Sequence, residues 1–411
     1  MLQPKILPRI ENFEKLAYGL FLHYGLYSQL GRGEWVRYFE KIEKQEYSKL
    51  LKTFNPQDFD GRKIAKFAKD CGMRYICLTT RHHDGFSLYD TKGLCDFDSI
   101  HSPCKRDLVE EFVAGCRAEG IVPFFYHTTL DWYQENFENN FSQYIDYLIA
   151  SVEILCRNYG TIGGLWFDGN WSKPKADWQE DRLYATIRKY QPEAIIVNNT
   201  GLVARGAVGH PEIDSVTYEQ GSPELRDQSG REKYIAGEMC QTMNMHWGIG
   251  KYDFCYMSPK EIIERLCACR RVGANYLLNV GLTSTGQIPE YESAALLRVG
   301  QWLAMHGECL YNARPYAASS NNSDFVLKSP NHLYFFISNL GVIGDINVTS
   351  IIHKKYPRAF AGINDKIKCM QWLDNGERLT FTQNNDGLLC FDATGYPYGT
   401  NLVVRIAKAE I

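Results

Sequence analysis

The sequence predicts an α/β fold, a (β/α)8 TIM-like barrel over residues 1–314 followed by a C-terminal antiparallel β-sandwich over residues 315–411. Between residue 17 and about residue 310, eight short apolar runs alternate with longer amphipathic segments. The apolar runs end in polar or aromatic residues, as barrel strands do where they reach the mouth. After "ECLYNARPY" the pattern changes to an alternation of apolar and polar residues with Asn, Asp and Gly turns between, which reads as antiparallel strands.

The eight runs are "AYGLFLHYG", "MRYICLTTRHHDG", "IVPFFYHTTLDW", "GGLWFDGNW", "EAIIVNNT", "DSVTYEQ", "EMCQTMNMHWG" and "NYLLNVG". The intervening helices carry apolar stripes. "DGRKIAKFAKDCG" puts Ile64, Phe67, Ala68 and Cys71 on one face and stops at Gly72. "RDLVEEFVAGCRAEG" does the same with Leu108, Val109, Phe112, Val113 and Cys116, ending at Gly120. "SPKEIIERLCACRRVGA" opens with Ser258 as N-cap and Pro259 at the first helical position. The sandwich strands lie in "DFVLKSPNHLYFFISN", "DKIKCMQWL", "ERLTFTQNNDGLLCFD" and "NLVVRIAKAEI". No internal repeat or low-complexity segment interrupts this order.

Composition is that of a globular protein with a large core: 45% hydrophobic and 23% charged residues, with a net charge of -3. That charge offers nothing to nucleic acid or to an anionic membrane. Aromatic residues make up 13% and gather at the ends of the predicted strands, where they suit sugar faces or apolar ligands. The thirteen cysteines form no CxxC pair and mostly sit inside apolar runs, which implies free thiols in a reducing compartment. With no apolar h-region near the N-terminus and no run of about 18 apolar residues, the expected location is cytoplasmic.

A barrel of this kind places its active site at the C-terminal ends of its strands. The residues there are His23, then His82, His83 and Asp84, then Tyr126, His127, Asp131 and Trp132, then Trp166 and Asp168, Asn198 and Asn199, Glu219 and Glu238. Asp168 follows the apolar run Leu165–Trp166–Phe167, and the first basic residue after it is Lys173. A carboxylate in that setting is either held by backbone N–H groups or used in chemistry, and a desolvated carboxylate can act as a nucleophile. Retaining glycoside hydrolysis needs a second carboxyl about 5–5.5 Å away as proton donor. Glu219 and Glu238 are both candidates. His82 and His83 suggest a metal, but neighbouring strand residues point to opposite faces, so hydrogen bonding or packing is the expected role and no metal is expected.

The segments "GLFLHYGLYS...GEWV", "RHHDGFSLYDT", "RDLVEEF", "LDWY", "LWFDGNW" and "NYLLNVGLTSTGQIP...LLRVGQWLAMHGECLYNARP" together resemble glycoside hydrolase family 29, the α-L-fucosidases. The resemblance runs from residue 19 to about residue 315 and implies a barrel followed by a β-sandwich and retaining hydrolysis of fucosides without a cofactor. It implies that Asp168 is the nucleophile. It implies that Glu219, in the D-x-x-T-x-E pattern of "DSVTYE", is the acid/base, with Glu238 as the alternative. It further implies that His23, Glu34, Trp35, His82, His83, Tyr126 and Trp166 contact the sugar. Members often carry an arginine after the Asn pair of the fifth strand. This chain has Thr200 there, so another residue must serve that part of the site.

The expected substrate is a fucosylated oligosaccharide or glycoconjugate. The segments "VARGAVGHPEID" and "NMHWGIGKYDF" suggest α-1,3/1,4-linked fucose. Two other readings use the same barrel. A non-catalytic carbohydrate-binding protein would have lost Asp168 or both candidate acids. A different, metal-dependent hydrolase would need a His/Asp/Glu cluster at metal-ligand spacing.

Overall fold

The computed structural model describes residues 4–340, 342–343, 346–347, 355–396 and 399–411. Eight parallel strands close into a barrel in chain order: β1 (Tyr18–His23), β2 (Tyr75–Arg81), β3 (Val122–Thr128), β4 (Gly164–Asp168), β5 (Ile195–Asn198), β6 (Ser215–Glu219), β7 (Ala236–Thr242) and β8 (Asn275–Gly281). Pairing of β1 with β8, from Tyr18↔Tyr276 to His23↔Gly281, closes the cylinder. All eight apolar runs of the sequence become strands. Side chains alternate across them. Phe21, Cys77, Phe124, Tyr126, Trp166, Cys240 and Leu277 form one buried cluster.

The helices begin where the capping residues place them. Asp60 caps Gly61–Asp70, and Asp107 caps Leu108–Glu119, which ends at Gly120 with φ +74°. Ser258 and Glu261 form a capping box for Pro259–Arg271, with Pro259 at the start. Among the described residues, the eightfold alternation fails at two places. β5 is followed only by a 3-10 turn, Thr200–Leu202, and no helix joins β6 to β7. Both connections contain helix breakers: Gly201, Gly206, Gly209 and Pro211 in one, and Gly221, Pro223 and Gly230 in the other. Here the barrel is held differently. Pairing of β5 with β6 rests on Val197↔Ser215, and buried Asp214 joins Arg9 (3.0 Å), Arg188 (2.8 Å) and Lys233 (3.1 Å).

The chain divides into two compact units, one of Met1–Met257 with Ala274–Leu297 and one of Ser258–Gly273 with Arg298–Ile411. The division is therefore not a single cut at residue 314, because two helical stretches group with the C-terminal strands. Those strands form two antiparallel sheets. One orders Ser319–Ser320, Lys355–Ala361, Leu389–Thr394 and Phe381–Gln383. The other orders Cys369–Trp372, Arg405–Glu410, His332–Ile337, Phe325–Lys328 and Arg314–Pro315. Phe335 of the second packs on Phe360 and Phe391 of the first, at ring separations of 5.0 and 6.1 Å, which makes the pair a sandwich.

Candidate active site

Alternation along β4 explains the aspartate that ends its apolar run. Trp166 points into the barrel, Phe167 packs outward beside Tyr184, and Asp168 points inward again at the mouth. Asp168 is thereby set in a pocket with Phe21, His23, Trp35, His82, His83, Tyr126, Trp166, Trp171, Leu202, Glu219 and Trp247. Its carboxylate is not isolated. Oδ1 accepts from Trp171 Nε1 (2.8 Å) and Asn199 Nδ2 (3.3 Å). Oδ2 accepts from the Tyr126 hydroxyl (3.1 Å) and lies 3.4 Å from His83 Nε2. Burial pushes its pKa up, but His83, Trp171 and Asn199 outweigh that and hold it below the usual carboxylate value.

Glu219 ends β6 and lines the same pocket. Its Oε2 accepts from Asn199 Nδ2 at 2.6 Å. Burial, together with the charge of Asp168, pushes its pKa up to about 7 despite that bond. Two carboxyls in one pocket thus differ in proton affinity, one held ionised and the other held protonated near neutrality. Within the D-x-x-T-x-E stretch the three named residues have separate tasks. Asp214 anchors the start of the strand, Thr217 bonds Asn199 Oδ1 (2.9 Å), and Glu219 reaches the pocket. Glu238 sits lower, as the third residue of β7. It is fully enclosed and accepts from Tyr75 (2.6 Å) and Trp166 Nε1 (2.8 Å), and it does not line the pocket.

The pocket wall is made of rings. His82 stacks on Tyr126 (5.5 Å, 12°), Tyr126 stacks on Trp166 (5.7 Å, 21°), and Trp35 stacks on Trp171 (5.9 Å, 25°). His82 and His83 both line the pocket, contrary to the strand-alternation expectation, because β2 ends at Arg81 and the two residues lie beyond it. His23 is held neutral by burial, with its pKa down to about 3. Asn279 donates to the Trp247 carbonyl (2.7 Å), so its oxygen is left to accept from His23 Nδ1 (2.6 Å). His23 Nε2 then carries a lone pair. Glu34 is buried outside the lining and accepts from the backbone N–H groups of Trp247 (3.1 Å) and Gly248 (2.7 Å), which fixes the loop bearing Trp247.

Four strand-end residues face elsewhere. His127 bonds Ser151 and Thr80 on the outer side of β3, and Asn198 bonds Tyr184. Asp84 accepts from Tyr47, and Asp131 caps the turn at Tyr133 and Gln134. Trp171, Trp247 and the bridging contact of Asn199 were not foreseen. Trp171 was within reach, three residues after Asp168 in "FDGNW". Trp247 comes from a loop whose path no local pattern encodes. Thr200 is turned onto the carbonyls of Ala207 (2.6 Å) and Asn198 (3.3 Å). Among the described residues, no group of three or more His, Cys, Asp and Glu is arranged to hold a metal ion. A larger groove of about 820 Å³ runs between helices Gly61–Asp70 and Leu108–Glu119; of its carboxylates, Asp60 caps a helix and Glu111 pairs with Arg106.

An aromatic pocket with two unlike carboxyls at the C-terminal ends of barrel strands is the architecture of a glycoside hydrolase. The family profile described as alpha-L-fucosidase matches residues 6–308, and the chain belongs to that family. It is 26% identical to the tissue alpha-L-fucosidase of Mus musculus over 346 residues, covering 77% of this chain and 74% of that protein. It is 25% identical to the tissue enzyme of Homo sapiens over 338 residues, covering 74% and 69%. Alpha-L-fucosidase isoenzyme 1 from Paenibacillus thiaminolyticus superposes with a TM-score of 0.85 at 30% identity, covering 98% of each chain. The Thermotoga maritima alpha-fucosidase shares the fold, with a TM-score of 0.77 at 24% identity over 97% and 96%.

Proposed function

We propose that this protein is a retaining α-L-fucosidase that removes terminal α-L-fucose from oligosaccharides or glycoconjugates. The observation that carries the reading is the pair Asp168 and Glu219, both in one ring-walled pocket, with opposite proton affinities. In the first step an Asp168 oxygen bonds to the anomeric carbon as the glycosidic C–O bond breaks, and Glu219 gives its proton to the departing oxygen. In the second, Glu219 takes a proton from water, the water oxygen bonds to the same carbon, and the ester to Asp168 breaks. Two inversions give net retention. Consumption of the Asp168 charge in the ester lowers the Glu219 pKa and suits it to the base role.

The remaining pocket residues bind the sugar in this reading. His23 Nε2 accepts from a hydroxyl, and His82 has a buried Nδ1 that finds no partner among the described residues and is free for another. His83 and Tyr126 act at the nucleophile and the sugar ring, Trp35 and Trp166 supply apolar faces, and Glu34 acts through the Trp247 loop it holds. The pocket is small, about 80 Å³, which supports entry of a single terminal sugar and not of a longer chain. We propose α-1,3/1,4-linked fucose as the substrate. Exposed Val203, Met245, Tyr252 and Phe254 support this, because they lie on the segments that bring Leu202 and Trp247 to the pocket. That none of the thirteen cysteines is in a disulfide supports a reducing, cytoplasmic setting. Proton NMR of the first turnovers on an aryl α-L-fucoside tests the mechanism. α-L-Fucose should appear first; the β anomer, or no hydrolysis, refutes the proposal.

A further inference from the structure

We propose that Asn199 is a positioning residue that keeps the acid/base proton on Oε1 of Glu219, and that Thr217 and Gly201 keep the Asn199 amide in the orientation this requires. The proposal rests on the assignment of Asp168 and Glu219 above. Asn199 Nδ2 lies 2.6 Å from Glu219 Oε2 and 3.3 Å from Asp168 Oδ1. An amide nitrogen has two hydrogens and accepts nothing. One hydrogen serves each carboxyl. Oε2 is therefore an acceptor whether Glu219 is protonated or not, since a proton there would face an N–H at 2.6 Å. The acid proton is confined to Oε1, the oxygen left for the leaving group.

This works only if the amide does not turn over and present its oxygen to the two carboxyls. Thr217 and the two carboxyls favour one orientation. Thr217 Oγ1 accepts from the Gly201 N–H at 3.3 Å and donates to Asn199 Oδ1 at 2.9 Å, whereas a turned amide would set its oxygen against the Asp168 and Glu219 carboxyl oxygens. Thr217 and Glu219 are two residues apart on β6 and share a face. Only glycine allows this approach, because a Cβ at Gly201 would lie 2.0 Å from the Thr217 carbonyl oxygen and 2.7 Å from its Oγ1. Thr200 is directed away, so the amide of Asn199 is the neutral donor that links the carboxyls.

Through the cycle the Asn199 amide favours the charged form of Glu219 with one N–H just as its proton departs, and with the other it lowers the proton affinity of Asp168. The titratable groups facing Glu219 are Asp168, Glu34, Tyr126 and Cys240, and those facing Asp168 are His83, His23, Tyr126 and Cys240. Among the described residues, the side chain that hydrogen-bonds the Glu219 carboxyl is that of Asn199.

The test is the pH dependence of kcat/KM on an aryl α-L-fucoside for wild type, Asn199→Ala, Thr217→Val and Thr217→Ser. Removing the amide should move the alkaline limb up by about one pH unit, the scale of one hydrogen bond to a charged group. Thr217→Val should move it in the same direction by less, and Thr217→Ser, which keeps the hydroxyl, should restore it. Lower kcat with unmoved limbs in both Asn199→Ala and Thr217→Val would mean packing alone and would overturn the proposal. So would a downward shift. Infrared titration of the Glu219 carboxyl, taken as the difference from Glu219→Gln, reads the same pKa without substrate. It should rise in Thr217→Val even if Asn199→Ala does not fold. An inactive wild type would count against the fucosidase reading, whereas an active wild type with an unmoved Glu219 titration in Thr217→Val would count against the role of Asn199.

Discussion

Trp166 donates its indole N–H to Glu238 at 2.8 Å, so the acidic side chain of β7 supports the tryptophan wall from below. Tyr75 takes the other carboxyl oxygen at 2.6 Å. Removing Glu238 takes the acceptor from the buried Trp166 indole N–H, at about 1–3 kcal/mol, and breaks the hydrogen bond from Tyr75. Glu238→Ala should therefore lower Tm and depress kcat/KM on good and poor leaving groups alike. Glu219→Ala should behave differently, because a lost acid hurts poor leaving groups most. It should nearly abolish cleavage of a natural fucosylated oligosaccharide and spare the first step on an activated aryl fucoside. A leaving-group dependence found at Glu238 instead would exchange the two assignments.

Asp168→Gly should abolish hydrolysis of an aryl α-L-fucoside, since a lost covalent nucleophile costs several kcal/mol of transition-state stabilisation. Azide should restore part of the rate by entering the space the carboxylate leaves, giving a fucosyl azide detectable by mass spectrometry. A variant that retains a tenth of the wild-type kcat would remove Asp168 from this role.

The pH profile of kcat/KM should be a bell. Its alkaline limb should fall near pH 7, where Glu219 loses its proton, and its acid limb should lie below the usual carboxylate range, where Asp168 gains one. Stability follows the same groups. Glu219 and Glu238, both raised to about 7, keep protons in the folded state that the unfolded chain releases from about pH 4.5. Their contribution therefore declines as pH rises from about 4.5 to about 7. Asp168 and Asp214 have lowered values, so their contribution is present above the unfolded value and is lost on acidification. Tm measured from pH 5 to 8 should fall more steeply for wild type than for Glu238→Gln. Parallel curves would contradict the buried-carboxyl origin of the slope.

Activity should survive exhaustive dialysis against EDTA. Among the described residues no group of three or more His, Cys, Asp and Glu is arranged to hold a metal ion, and His83 is engaged by Thr128 and Asp168. Loss of turnover that zinc, manganese or calcium restores would require a different chemistry at this pocket.

The sequence by itself determined the order of strands, the apolar alternation that carries Trp166 and Asp168 to the inner face of β4, and the helix start at Ser258 and stop at Gly120. These depend on periods of 2 and 3.6 and on caps, which are local and therefore readable. Only the tertiary structure decided between Glu219 and Glu238 as pocket residues, because both end or cross neighbouring strands and their depth is set by barrel register, Thr217↔Glu238 and Glu219↔Cys240. It also brought Trp247, Asn279 and Asn199 to their partners. A hydrogen bond such as Asn199–Asp168 joins groups on different strands, and its geometry is fixed by how the barrel closes, which no short window of sequence records.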